Sequence, residues 1–175
     1  MFISNKVEES LIWQLLPETE KEDYLKFHRN SFREDIAHAE ATASKFPRWS
    51  IISGYYAMHD VTKLFLAKEF GIKIVGQNTH GKTIQAITEL INDPKLKSNI
   101  IFHLAKAKGI FFNAARLKEK TIPLLLKKGR EERVKSQYYT QDFTSPASAS
   151  AAKALYFLDT IVKPYIALME SLMKP

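Results

Sequence analysis

The stretch Ser53–Leu66 reads SGYYAMHDVTKLFL, and the fold prediction starts from it. It lies within a longer segment, Arg48–Phe70, whose apolar residues fall on nearly every side of a helix. A helix that is apolar all round is typically the central helix of a bundle. Gly71 follows the segment directly and suits the position after the C-terminal cap of such a helix. We therefore predict a buried central helix over 48–70.

Helical periodicity also precedes this segment. Val7, Leu11 and Leu15 are four residues apart and predict a short amphipathic helix over Lys6–Leu16. A second helix is predicted from Thr19, which forms a capping-box pattern with the glutamate three residues later, to about residue 45.

The downstream chain predicts further helices and one short strand-like run at Ile72–Val75. The helices are predicted around Ile84–Ile91, over Ser98–Lys120, over Leu124–Gln137 after a break at Pro123, and over Ala151–Met173 with a bend at Pro164. The predicted fold class is all-α, a mainly antiparallel up-and-down bundle of four to six helices. Residues 1–30 would form an N-terminal helical extension and residues 31–175 the bundle domain.

Composition limits the possible functions. The chain has no cysteine, which excludes disulfides, thiolate catalysis and cysteine-based zinc sites. No pair among its five histidines has the i, i+4 spacing of a helical zinc site, so we expect neither a metal site nor a cofactor. No apolar run approaches the roughly 18 residues of a membrane span, and no signal-peptide pattern opens the chain. We therefore expect a cytoplasmic protein without membrane contact.

The net charge of +7 is concentrated in one region. Residues 94–135 contain twelve lysines and arginines and three acidic residues, so the rest of the chain is slightly acidic. A regional excess of positive charge is typical of a surface that binds phosphates. A lysine-rich, solvated helix face would explain the lysines equally well.

Residues Gly76–Thr83 read GQNTHGKT and match the P-loop pattern of nucleotide-binding enzymes. That loop functions between a strand of a parallel sheet and its crossover helix, and the surrounding sequence offers no second strand. We interpret the motif as a helix start capped by Asn78 or Thr79, and a P-loop enzyme is the third functional hypothesis.

Three segments, in their order and spacing, resemble the HEPN superfamily of small helical proteins. They are Ser53–Leu66, the glycine turn and Thr-His helix start within 71–84, and Arg130–Tyr139, and the resemblance extends over Arg33–Leu172. It implies a helical bundle that binds or cuts RNA, often with a nucleotidyltransferase partner. Arg133 and Tyr138 are five residues apart, or about 140° around a helix, so a cleft that they share needs a bend, a helix end or a second subunit, and we expect a homodimer.

The active members of this superfamily carry an arginine followed by a histidine four to six residues later, and the pair cleaves RNA without metal. Here Tyr138 occupies the histidine position after Arg133. A phenol that titrates near pH 10 is a poor base at neutral pH. The resemblance therefore favours a non-catalytic module that binds RNA, a nucleotide or the nucleotidyltransferase partner. The alternative is a toxin-like, metal-independent ribonuclease.

Arg133 and Tyr138 are the candidate catalytic residues under that alternative. The candidate RNA- or nucleotide-binding residues are Arg130, Arg133, Lys135, Tyr138, Tyr139 and His80. We expect His80 to have a structural role or to line the cleft, and we expect Tyr55 and Tyr56 to pack in the core.

Overall fold

The computed structural model describes residues 10–128 and 149–173, with side chains in 10–115 and 149–173. Its elements are β1 (Trp13–Leu15), α1 (Glu18–Thr42), α2 (Pro47–Phe70), β2 (Ile72–Ile74), α3 (Thr79–Leu90), α4 (Pro94–Lys128), α5 (Ala151–Phe157) and α6 (Lys163–Leu172). A π-helical turn at Leu158–Val162 joins α5 to α6, and the three together are called the C-terminal helix. The predicted all-α class is confirmed.

Helix α2 is the centre of the bundle, as its sequence predicts. Its buried residues lie on every side of the helix, because α1, α4 and the C-terminal helix all pack against it. Pro47 begins the helix, where a missing N–H costs no hydrogen bond. Gly71 ends it in the left-handed conformation (φ 64°). That conformation favours glycine.

Helix α1 runs antiparallel to α2. Two hydrogen bonds show this direction, since His28 bonds Asp60 and His38, further along α1, bonds the earlier Ser53 of α2.

The C-terminal helix runs parallel to α2. Gly54 meets the ring of Phe157, and the hydroxyls of Thr62 and Tyr165 lie 2.7 Å apart. A Cβ on Gly54 would lie 3.1 Å from the Phe157 ring, so glycine permits the close approach. The arrangement is the predicted up-and-down bundle.

The prediction of a helix over Lys6–Leu16 is wrong for its described part. Residues 13–15 form a strand that pairs antiparallel with β2, and Trp13 lies opposite Ile74. Trp13 is buried, whereas Leu11 and Leu15 are exposed, so the spacing of the leucines does not mark a buried helix face. Strand β2 confirms the weak strand signal in the sequence.

Two helix boundaries also differ from the sequence prediction. Helix α1 begins after Pro17 without a side-chain cap, so the predicted capping box does not form. Helix α4 begins at Pro94, because the Asp93 carboxylate accepts the backbone N–H groups of Lys95 and Leu96. It then continues through Pro123, where the sequence predicts a break.

The C-terminal helix adapts to Pro164 through its π-helical turn. Lys163 donates its backbone N–H to the carbonyl of Leu158, five residues earlier. This shift places an irregular turn directly before the proline, where a regular helix would clash with the ring. The predicted packing stripe is buried from Leu158 to Met169, but Leu155 is half-exposed.

Within 10–128 and 149–173, none of the helices combines the length and the apolar character that crossing a membrane requires.

Truncation of the central helix should destabilise the protein. Leu64→Ala removes a side chain that is 4% exposed. We therefore expect the free energy of unfolding to fall by about 2–5 kcal/mol, as measured by urea denaturation. The matched control is Leu155→Ala, because Leu155 is a helical leucine that is 48% exposed. It should cost less than about 1 kcal/mol. Equal effects of the two variants would contradict the central position of α2.

Replacement of Gly109 should have the opposite effect. Gly109 lies inside α4, and a Cβ there would meet no described atom within 4 Å apart from the adjacent backbone of the same helix. Glycine in a helix interior costs about 1 kcal/mol relative to alanine, so Gly109→Ala should raise the free energy of unfolding by about that amount. Gly54→Ala is the contrasting variant, which should destabilise because its Cβ meets Phe157. A destabilising Gly109→Ala would show a packing requirement at this position.

Candidate functional site

A cleft of 330 Å³ lies where α2, the first turn of α3 and α4 meet. Its lining residues are Tyr55, Asn78, Thr79, His80, Gly81, Ile84, Lys108, Phe111 and Phe112. The lining contains one imidazole, one ammonium group and three aromatic rings, and no carboxylate. The lining of the cleft is therefore aromatic and positively charged.

His80 enters the cleft from the second position of α3. Its ring centre lies 4.1 Å from that of His59 and 5.2 Å from that of Tyr55. Burial lowers its pKa below the usual value, and the positive charges of Lys63 and Lys108 lower it further, while Asp60 opposes them. His80 is therefore a neutral imidazole near pH 7, with one nitrogen to donate and one to accept.

His59 lies directly behind His80 and is only 1% exposed. Neither of its ring nitrogens has a hydrogen-bond partner within 10–128 and 149–173. Burial lowers its pKa well below the usual value, and the charges of His80, Lys63 and Lys108 act in the same direction. A buried polar ring without a partner is costly, so His59 lowers the stability of the core beside the cleft.

Aromatic rings form the walls of the cleft. Tyr55 and Phe111 stack with ring centres 4.3 Å apart and an angle of 20°. Burial raises the pKa of Tyr55 to about 12, so its hydroxyl remains protonated. Tyr56 packs its edge against His80 but is 42% exposed, which corrects the prediction that both tyrosines belong to the core.

Lys108 supplies the positive charge of the cleft. It is exposed, and its ammonium lies 5.8 Å from the ring centre of Phe112. No carboxylate of the described residues forms an ion pair with it. Such an ammonium group is available to a phosphate or carboxylate ligand.

A second polar cluster supports α2 beside the cleft. The Asp60 carboxylate lies 2.9 Å from His28 Nδ1 and 3.4 Å from Lys63 Nζ. Burial alone would raise the pKa of Asp60, but the bond from His28 and the charge of Lys63 outweigh it and lower the pKa. On α1, burial and the negative charge of Asp60 raise the pKa of Asp35 to about 6.

The GKT motif does not adopt the setting of a P-loop. Strand β2 is paired antiparallel in a two-stranded sheet. Lys82 donates to the carbonyl of Val75 at 2.9 Å, and the buried Thr83 donates its hydroxyl to the carbonyl of Thr79. Asn78 precedes α3 in the left-handed conformation without a side-chain capping bond, so the capping interpretation is wrong for Asn78.

Of the sequence-predicted site residues, the structure places His80 in the cleft. The others, Arg130, Arg133, Lys135, Tyr138 and Tyr139, lie outside the described residues.

The sequence prediction missed Lys108, Phe111 and Phe112 in the cleft, and His59 behind it. A signal for His59 is present in the sequence, because Tyr55, His59 and Lys63 are four residues apart and fall on one side of the central helix.

Among the described residues, no group of three or more histidine, aspartate or glutamate side chains is placed to hold a metal ion. Comparison with protein-family models, with curated proteins and with solved structures gives no significant match.

The neutral histidines should make stability depend on pH. The unfolded chain protonates His59 and His80 below about pH 6.5. The folded chain protonates them at lower pH than the unfolded chain does, because both pKa values are lowered. Stability is therefore lost as pH falls from about 7 to about 5, with a slope of about 1.4 kcal/mol per pH unit for each extra proton on the unfolded chain. Urea denaturation at several pH values measures this slope, which His59→Phe should reduce.

Asp35 provides the control, because its raised pKa increases the stability of the protein as the pH falls, whereas the two histidines decrease it. The folded chain protonates Asp35 with a pKa of about 6, where the unfolded chain remains ionised. Asp35 therefore adds stability on acidification, and Asp35→Asn should make the loss of stability towards pH 5 steeper. An unchanged slope in His59→Phe would show that His59 is not held neutral.

Proposed function

We propose that this protein is a HEPN-like helical module that binds RNA or a nucleotide, with little or no catalysis. The observation that carries the proposal is the cleft, which combines stacked aromatic rings, a neutral histidine and a lysine without a carboxylate partner among the described residues. A nucleotide has a planar base, polar edges and a phosphate, and these features match the three kinds of group in the cleft.

Each group has a physical role in this proposal. Phe112 and Tyr56 are half-exposed rings on which a base can stack. Stacking is the main way proteins hold unpaired bases. His80 is neutral, so it can donate to or accept from a base edge without the cost of moving a charge. Lys108 offers its ammonium to the phosphate and releases counterions on binding.

The alternative function is a metal-independent ribonuclease. The neutral His80 favours it, since an imidazole with a lowered pKa is unprotonated at neutral pH and can accept a proton from a 2′-hydroxyl. Arg133 would then stabilise the phosphate, and Tyr138 would position the substrate. Because Tyr138 stands where the active members of the superfamily have a histidine, we rank the ribonuclease function below binding.

The resemblance to HEPN proteins extends the proposal to assembly and location. On this basis the protein is a cytoplasmic homodimer that works with a nucleotidyltransferase partner, in the manner of a toxin–antitoxin pair. Two-fold symmetry would bring two copies of the Arg130–Tyr139 segment together and enlarge the binding surface.

RNA binding should depend on the cleft and on salt. We expect a fluorescein-labelled RNA to bind with an affinity that falls steeply as salt increases, measured by fluorescence anisotropy with a metal chelator present. Lys108→Gln should weaken binding and reduce the logarithmic salt slope by about one, the effect of one phosphate contact. His80→Ala should weaken binding with little change in the slope.

Lys26→Gln is the matched control, because Lys26 is an exposed lysine on α1, away from the cleft lining. It should leave the affinity unchanged. Binding that is absent, or equally affected by Lys26→Gln and Lys108→Gln, would contradict the proposed cleft. The same samples on a denaturing gel test catalysis: robust RNA cleavage that is lost in His80→Ala or Arg133→Ala would establish the ribonuclease alternative.

A further inference from the structure

The exposed face of α4 carries a second set of aromatic and basic groups outside the cleft. Residues 94–118 contain no aspartate or glutamate. Lys95 and Lys97 lie near the start of the helix, where the macrodipole disfavours positive charge. Phe102 follows further along the helix and is 60% exposed. The Phe102 ring therefore lies in a stretch of α4 that carries lysines and no acidic residue.

Lys106 joins Phe102 to the C-terminal helix. Its ammonium lies 5.8 Å from the ring centre of Phe102 and 5.6 Å from that of Tyr156. Both distances are within the range of a cation–π contact. The ammonium also donates to the Tyr156 hydroxyl at 3.3 Å, and Tyr156 is itself half-exposed. The lysine therefore lies between two exposed rings, so a charge and two stacking surfaces form one cluster.

Two adjoining depressions of 400 and 500 Å³ flank Phe102. Pro94, Ser98 and Phe102 line both of them. The others that line one or the other are Asn92, Lys95, Lys97, Asn99 and Ile101. Each depression thus combines one face of an aromatic ring with lysine, amide and hydroxyl groups. Such surroundings fit a base that stacks on the ring and a backbone that contacts the lysines.

Gly109 continues the surface towards the cleft. Because successive residues turn by about 100°, it lies about 20° from Phe102 around α4, and both point to the same side. Apart from the adjacent backbone of α4 itself, no described atom lies within 4 Å of the Cβ position of Gly109, so the helix surface is open there. Lys108, directly before Gly109, and Phe112, three residues after it, line the 330 Å³ cleft. From Phe102 to Phe112 the helix rises about 15 Å, so the two sites are close enough for one ligand.

We propose that this surface, formed by Phe102, Lys106, Tyr156 and Gly109, binds single-stranded RNA that continues into the cleft at His80. The inference rests on the proposed function and names its substrate class as unpaired RNA. Stacking on protein rings needs splayed bases, which a duplex does not present. Protein interfaces are depleted in lysine at their cores, and this surface has Lys106 at its centre, which favours a polyanion over a protein partner.

Fluorescence anisotropy with two labelled probes tests the inference. One probe is a twelve-nucleotide oligouridine, and the other is a blunt RNA duplex of the same length. We expect the single strand to bind more tightly than the duplex. Phe102→Ala should weaken single-strand binding roughly five-fold or more, as expected when one stacking ring is lost. Tyr156→Ala should act in the same direction, and Gly109→Leu should obstruct the open backbone.

Phe27→Ala is the matched control, because Phe27 is a helical phenylalanine that is 63% exposed on α1. It should leave binding unchanged, and circular dichroism checks that every variant is folded. If the wild type binds neither probe, the proposed function and this inference fail together. If His80→Ala weakens binding but Phe102→Ala and Tyr156→Ala do not, only this inference fails. Equal affinity for the duplex also overturns it. A change in sedimentation of Phe102→Ala with unchanged RNA binding would make the surface a protein interface and overturn it too.

Discussion

The enclosure of α2 is the constraint on which the rest of the structure depends. A helix surrounded on all sides cannot leave its polar groups to water, so each needs a partner in a neighbouring helix. The partners are His28 for Asp60, His38 for Ser53 and Tyr165 for Thr62. Each of these bonds ties a specific turn of α2 to α1 or to the C-terminal helix. The polar groups of the central helix therefore fix the register of its neighbours, while its apolar groups supply most of the burial.

Arg48, Ser50 and His59 of α2 depart from this rule, since each has buried polar atoms without a hydrogen-bond partner among the described residues. His59 does so beside the cleft, where its ring packs against that of Tyr55. Polar groups left unsatisfied in a folded core are often found where function has limited the choice of residue. The ring centres of His59 and His80 lie 4.1 Å apart, and burial is the largest cause of the lowered pKa of both histidines. A neutral imidazole at His80 can donate to a base edge or accept a proton.

The helices were predictable because their signals are local. The apolar run of α2 and its terminal Gly71 act within a few residues, and the structure contains both features. The strand at 13–15 was not predictable, since it depends on pairing with β2 far along the chain. His80 is the predicted site residue that lies in the cleft, and it was predicted because it falls at a position that the HEPN resemblance covers. Lys108 and Phe111 join it through the packing of α4 against α2, a contact that no spacing in the sequence encodes.

Helix α4 connects the cleft to the surface around Phe102. The part of α4 whose side chains the structure describes departs from several local rules of helix stability. Lysines occupy its first turn, a glycine lies in its interior without a packing reason, and exposed rings stand among the lysines. Each feature lowers the stability of an isolated helix. A bound polyanion would compensate for the lysines, cover the rings and use the open backbone at Gly109. Because a ligand that binds only the folded state also stabilises it, RNA would restore part of the stability that this face of α4 lacks. The same residues would then account for a weak helix in the free protein and for a binding surface in the complex.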